Sequence, residues 1–253
     1  MRKNVVKEKL KGGQAVVGVF CNLPSPAAVE MLGLMGYDFA IIDAEHGPMD
    51  LETCEDMVRA ADATDIVPIV RVALNLPQNI LRYLDTGALG VQIPMVNTRE
   101  EAERVVASTK YPPLGRRGLA GTRASGYGAG MDLVEYVRMA NEETLVVVQV
   151  ETREALANLE EIVAVELVDV VFLGPTDLSA ALGHPGQATH TEVLAAIEGA
   201  GRTILRAGKG VGTIANSPEA YKHWRMQGFQ YLCTGLTSFI AQAGRAHLQA
   251  ARE

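Results

Sequence analysis

Two carboxylates and an imidazole follow directly on an apolar run in Ile41-Ile42-Asp43-Ala44-Glu45-His46-Gly47-Pro48. A run without alternation reads as a strand covered on both faces. Titratable groups at its end cost on the order of several kcal/mol of desolvation unless a cation, a substrate or a partner compensates. Two more apolar runs end in acid: Val146-Val147-Val148-Gln149-Val150-Glu151, and Val170-Val171-Phe172-Leu173, which reaches Asp177 through Gly174-Pro175-Thr176. Three buried strands therefore each deliver a carboxylate at the carboxyl end.

Glu151 and Asp177 follow the fifth and sixth of the strands placed below. On neighbouring strands about 5 Å apart they repel each other. A divalent cation removes that repulsion, and two carboxylates completed by water suit Mg²⁺ or Mn²⁺, with Co²⁺ a third choice, while leaving positions open for substrate. The bland alternative is an ion pair with an arginine. Gln149 shares a face with Glu151 by the period of two and is placed to orient the site and to touch substrate.

Arg71 closes the run Val67-Pro68-Ile69-Val70. A permanent cation there stabilises an oxyanion such as an enolate; a salt bridge to Asp43 is the other reading, and both can hold together. His46 is the natural general base, with Asp43 or Asp85, from Tyr83-Leu84-Asp85-Thr86-Gly87, to fix its tautomer. The turn Gly174-Pro175-Thr176-Asp177 offers backbone N–H groups to a substrate carboxylate, unless Asp177 serves only to cap its own helix. His184, His190, His223 and His247 fall away from the strand ends and are expected in solvent. A Schiff-base mechanism needs a desolvated lysine at those ends. Lys3, Lys7, Lys9 and Lys11 instead fall in an N-terminal helix, Lys110 and Lys222 on outer helices, and Lys209 before a strand.

Strand-like and helix-like segments alternate eight times, the signal for βα units. The strands are placed at Ala15 to Cys21, Asp38 to Glu45, Val67 to Ala73, Gly90 to Val96, Leu145 to Glu151, Val168 to Gly174, Gly210 to Ala215 and Phe229 to Gly235. Ser25-Pro26 and Ser217-Pro218 are helix starts, Thr98-Arg99-Glu100-Glu101 is a capping box, and Gly36, Gly87 and Gly228 are stops. Eight units in 253 residues predict a (β/α)₈ TIM barrel in one domain, with its site at the carboxyl ends of the strands. A short surface helix over about residues 1–11 precedes it, and an amphipathic helix over about 236–253 packs at home or on a neighbour.

The composition agrees. Hydrophobic residues make up 48% and aromatics only 5%, so Ala, Val, Leu and Ile fill the interior. A formal charge of −7 argues against nucleic acid, which requires a basic face. Cys21, Cys54 and Cys233 have no metal-ligand spacing and are expected as reduced packing residues in the cytoplasm. The N-terminus has neither the apolar core of a signal peptide nor that of a membrane anchor.

Together, Asp43-Ala44-Glu45-His46-Gly47-Pro48, Val70-Arg71, Leu84-Asp85-Thr86-Gly87-Ala88, Tyr111-Pro112-Pro113-Leu114-Gly115-Arg116-Arg117-Gly118, Gln149-Val150-Glu151-Thr152 and Gly174-Pro175-Thr176-Asp177-Leu178-Ser179 resemble the class II 2-oxo acid aldolases of the HpcH/HpaI group. The group is similar to the phosphoenolpyruvate/pyruvate barrels and reversibly cleaves 4-hydroxy-2-oxo acids to pyruvate and an aldehyde. The resemblance implies that Glu151 and Asp177 hold a divalent metal that chelates pyruvate, that Arg71 stabilises the enolate, and that His46 moves the proton. It implies further that Asp85 supports the imidazole, from its own or a neighbouring subunit, and that the amides from Gly174 to Asp177 hold the pyruvate carboxylate. The assembly it implies is a hexamer, a trimer of dimers, with the last helix exchanged. Phe20 stands where heptanedioate aldolases carry Trp and Thr213 where they carry a larger aliphatic, so both are expected at an aldehyde pocket that departs from theirs, and Arg117 and Arg123 either select an acidic or hydroxylated tail or are surface charges. A citrate-forming enzyme, an acyl-CoA lyase and a non-enzymatic metal-binding barrel are the competing functions.

Overall fold

All eight apolar runs form strands: Val16–Cys21 (β1), Phe39–Asp43 (β2), Val67–Arg71 (β3), Gly90–Ile93 (β4), Leu145–Val150 (β5), Val170–Leu173 (β6), Gly210–Ile214 (β7) and Tyr231–Gly235 (β8). Each pairs in parallel with its sequence neighbours, and β8 pairs with β1 to close a barrel. The computed structural model describes residues 1–253. Around the barrel run Val5–Lys11 (α1), Pro26–Leu34 (α2), Leu51–Asp62 (α3), Pro77–Asp85 (α4), Arg99–Thr109 (α5), Leu133–Glu143 (α6), Arg153–Ala157 (α7), Leu159–Val163 (α8), Pro175–Ala181 (α9), Thr191–Arg206 (α10), Pro218–Met226 (α11) and Leu236–Ala250 (α12).

Period-two alternation splits every strand between two cores. Phe39, Ile41, Val67, Ile69, Val147, Phe172 and Tyr231 fill the barrel interior, while Ala40, Ile42, Val70, Val91, Val148, Val171 and Val211 meet the helices. Asp43, Arg71 and Gln149 continue the inward set, two residues beyond Ile41, Ile69 and Val147. The expected helix signals form: the Ser25 and Ser217 hydroxyls accept from the amides three residues on, and Gly36, Gly87 and Gly228 stop helices at φ 90°, 97° and 87°. Thr98 caps α5, but Glu101 returns its carboxylate to the N–H of Asn97, one residue before the cap.

Three strands end two or three residues early, β2, β3 and β4. β2 stops at Asp43 because its carboxylate accepts from the N–H groups of Glu45 and His46, both at 3.2 Å, and turns the chain. β4 stops at Ile93 because Pro94 has no N–H to extend the ladder.

The N-terminal helix is not a surface element. Val6 is fully buried in the barrel core, and Lys7 donates to Asp169 at 2.9 Å beneath it. The apolar Val6 plugs the amino end of the barrel. Lys110 likewise does not lie on an outer face. It is fully buried, and its ammonium donates to the carbonyls of Asn141 (2.9 Å) and Thr144 (2.7 Å). Helix α12 packs at home only through its start, where Leu236 and Phe239 meet the core; every residue from Ile240 onward is exposed. No helix is long and apolar enough to cross a membrane.

Candidate active site

At the carboxyl ends of the strands opens a cavity of about 480 Å³. Phe20, Asp43, His46, Arg71, Gln149, Glu151, Gly174, Pro175, Thr176 and Asp177 line it, so ten of the expected residues meet in one place.

Asp43, from β2, and Arg71, from the adjacent end of β3, pair directly in register. The guanidinium donates to the Asp43 carboxylate twice, from Nε at 2.8 Å and from Nη2 at 2.6 Å. Such a fork uses two of five N–H donors. Nη1 lies 3.3 Å from Glu45 Oε2, and the guanidinium carbon sits 4.7 Å above the Phe20 ring. Phe20 is thus the apolar floor on which the cation rests, itself edge-on to Phe172.

His46 stands at the rim with a side chain 63% exposed. Asp43 accepts from its backbone N–H and not from the ring, so Asp43 positions the turn without fixing the tautomer. The carboxylate facing the imidazole is Glu45, 3.9 Å from Nε2. Burial raises the Glu45 pKa above the usual range, and the Arg71 guanidinium partly offsets it.

Glu151 is 3% exposed. Its Oε1 accepts from the Met95 N–H and its Oε2 from Gln149 Nε2, both at 2.8 Å. Met95 reaches it only by adopting φ 55°, a backbone state that costs a non-glycine residue about 1 to 3 kcal/mol. Burial pushes the Glu151 carboxyl up to about 7, opposed by the Met95 N–H and reinforced by the Asp177 charge. The turn carrying Asp177 comes this close because position 174 is glycine: a Cβ there would lie 2.5 Å from Glu151 Oε2. The α9 N-cap is Gly174, with no side-chain bond, so Asp177 does not cap its own helix. The first amides of α9 have no partner four residues back, which leaves Thr176 and Asp177 N–H at the cavity.

Three carboxylates therefore line the cavity with one guanidinium, and Asp43 engages that cation. Glu151 and Asp177 have no cation of their own. Oxygen donors from two acids, unbalanced and partly desolvated, fit a hard divalent ion.

Three expected site residues are elsewhere. Thr213 is fully buried on the outward parity of β7, and its hydroxyl donates to the Leu173 carbonyl at 2.9 Å; its neighbour Ile214 lines the cavity instead. A shift of one residue along a strand exchanges its two faces. Asp85 ends α4, which runs from the carboxyl end of β3 back to the amino end of β4, so within one chain it is remote from His46. It accepts from Arg117 at 2.7 Å. Arg123 is at that same amino end, donating to the Thr86 carbonyl and to Asp62, each at 2.7 Å. Both arginines border a second cavity of about 420 Å³ away from the mouth. His184 and His190 are not free in solvent either: their rings stack at 3.6 Å, and His184 meets Glu192 at 2.8 Å. Cys21, Cys54 and Cys233 are buried and unpaired, and burial pushes the Cys21 and Cys54 thiols up to about 12.

Sequence reasoning missed Asn22, Ile214, Asn216 and Ser238, which also line the mouth, and Met95, whose N–H rather than side chain acts. Asn22 and Asn216 each follow the last residue of a strand or its flank, a weak signal that the strand register would have strengthened.

The profile of the HpcH/HpaI aldolase/citrate lyase family matches residues 16–241. The chain is 42% identical to a pyruvate aldolase of Rhizobium etli over 83% of this chain and 82% of that protein. It is 38% identical to a hydroxypyruvate/pyruvate aldolase of Cupriavidus necator over 99% of this chain and 93% of that one. The crystal structure of an HpcH/HpaI aldolase/citrate lyase family protein from Burkholderia cenocepacia J2315 superimposes with a TM-score of 0.94 at 33% identity, covering 99% of this chain and 100% of that one.

Proposed function

The chain belongs to the HpcH/HpaI aldolase/citrate lyase family, and from that premise we propose that it is a divalent-metal-dependent carbon–carbon lyase, cleaving a 4-hydroxy-2-oxo acid reversibly to an aldehyde and pyruvate or a close 2-oxo acid. The observation that carries this is the pairing of Glu151 with Asp177 in a mouth whose guanidinium is already engaged by Asp43.

Glu151 and Asp177 are the residues to hold the metal, Mg²⁺, Mn²⁺ or Co²⁺, which when bound supplies a Lewis acid for the 2-oxo acid. The amides of Thr176 and Asp177 face the substrate carboxylate. Gln149 offers a side-chain N–H to a substrate oxygen. Arg71, held flat on Phe20 by the Asp43 fork, keeps donors free toward the cavity for the charge that develops as pyruvate becomes its enolate. His46 moves the proton at the aldehyde end, where the rim is open, with Glu45 behind the ring. Asp85 can serve that imidazole only from a second copy. The exposed face of α12, with Ile240 57% and Leu248 51% exposed, supports exchange of this helix in a homo-oligomer, for which we propose the hexameric trimer of dimers. The acidic composition and buried free thiols support a cytoplasmic enzyme.

Exchange of the pyruvate methyl protons in D₂O tests the reading. With Mn²⁺ the protein should wash deuterium into the methyl group, chelator should stop it, and borohydride should trap no pyruvate on the chain. Trapping on a lysine, or exchange that survives chelation, defeats the metal mechanism; no exchange under any metal points to a binding barrel.

A further inference from the structure

We propose that Tyr231 and Gln92 are positioning residues for the metal-binding carboxylate and act on it through Gln149; the inference rests on the reading of Glu151 as a metal ligand. Side chains from β8, β4 and β5 form one line across the barrel interior. The Tyr231 hydroxyl donates to Gln92 Oε1 at 3.2 Å. Gln92 Nε2 donates to Gln149 Oε1 at 2.6 Å, and Gln149 Nε2 to Glu151 Oε2 at 2.8 Å. Tyr231 and Gln92 are fully buried and Gln149 is 1% exposed, so water does not substitute for any member.

The chemistry of the two ends sets the polarity of the line. A carboxylate only accepts, so Gln149 must turn its NH₂ toward Glu151 and its carbonyl toward Gln92. Gln92 must then meet that carbonyl with its own NH₂ and leave its carbonyl for a donor, which the Tyr231 hydroxyl is. Flipping either amide would bury a carbonyl against an acceptor and leave polar groups unpaired in the core. The ring is held in turn by Phe39, stacked at 4.3 Å, and by Phe172, edge-on at 6.2 Å.

Two consequences reach the mouth. Gln149 Nε2 has a second hydrogen, and since Gln149 lines the cavity it presents a donor, not an acceptor, to substrate. Glu151 is gripped at both oxygens, by Met95 N–H and by the line, with lone pairs remaining for a cation. Three interior positions of the barrel thereby carry polar order from a phenol in the core to the site.

Calorimetric titration of the full-length protein with Mn²⁺ tests this. Groups that bond a ligand directly change metal affinity by about 10- to 100-fold. Tyr231→Phe and Gln92→Met act one or two bonds further back and should each weaken Mn²⁺ binding about three- to tenfold. The double variant should bind no more weakly than the worse single one, because breaking the line once already releases Gln149. Tyr136→Phe, a buried tyrosine hydrogen-bonded at the amino end, should lower stability and leave Mn²⁺ affinity within twofold. Affinity within twofold of the parent in Tyr231→Phe and Gln92→Met, or strictly additive losses, overturns the proposal. So does failure of both variants to fold, which would assign the line to the core alone. A parent protein that binds no Mn²⁺ removes the metal reading of Glu151 beneath it, a result separable from equal binding by parent and variants.

Discussion

One ionisable group at each end of the barrel is displaced by burial to about 7, from opposite directions: Glu151 upward at the carboxyl end and Lys110 downward at the amino end. The amino end answers internally. Lys110 spends its N–H groups on two carbonyls, Lys7 pairs with Asp169, Arg117 with Asp85, and Arg123 with Asp62. At the carboxyl end Arg71 serves both Asp43, through the fork, and Glu45 at 3.3 Å, and Glu151 and Asp177 face an open cavity without a cation. Charge that the chain neutralises for itself supports the fold; charge left unanswered beside a cavity waits for a ligand.

Substituting along this contrast should move the effect from function to stability. His46→Ala should reduce turnover roughly 10²- to 10⁴-fold, the usual share of a positioned acid or base. Its side chain is 63% exposed, so the urea midpoint and Mn²⁺ affinity should hold; a large fall in metal affinity would make His46 a ligand instead.

Arg71→Ala lies between the extremes. Turnover should fall roughly 10²- to 10³-fold from loss of an oxyanion donor. Unlike His46, Arg71 leaves behind a carboxylate only 3% exposed, and stranding a buried charge costs about 3 to 5 kcal/mol. Parallel assays and urea melts should therefore both move. Full stability with lost activity would show that Asp43 finds another donor.

Lys110→Met should leave turnover alone and alter stability, both by the loss of two bonds to buried carbonyls and in its pH dependence. Burial, with the Lys7 charge beside it, holds the folded pKa of Lys110 at about 7 against 10.5 for the ordinary lysine. Between those limits the unfolded chain binds more protons than the folded one, so this group makes stability rise with pH, by up to about 1.4 kcal/mol per unit. Below pH 7 both states are protonated and the burden of the buried charge is complete. Urea melts of parent and variant at pH 7, 8 and 9 should show the parent gaining on the variant at each step. A constant difference would mean that Lys110 keeps its proton in the fold.

Much of the site was legible in the sequence because strand ends are a local signal. Asp43, Arg71 and Gln149 each stand two residues beyond an inward hydrophobe, and a period of two carries their direction without knowledge of the neighbours. The resemblance, not the period, put Thr213 at the mouth, and the outward parity of that position on β7 gives the place to Ile214. Asp85 and Arg123 failed for a different reason: Asp85 closes a helix that runs back to the amino end, and the long loop that carries Arg123 gives no local sign of where it settles.

By itself the sequence determined the eight strands, the closure they require and the acid at three carboxyl ends, since apolar run length, turn residues and caps act over a few neighbours. Only the tertiary structure decided the partners. It assigned the Asp43 carboxylate to Arg71 rather than to the His46 ring, brought the Met95 amide to Glu151 from the loop after β4, and ran a hydrogen-bond line from Tyr231 to Glu151 across 80 positions of chain. Such pairings depend on barrel register and on which charges share a desolvated space. Both are set by distances between strands that no local pattern encodes.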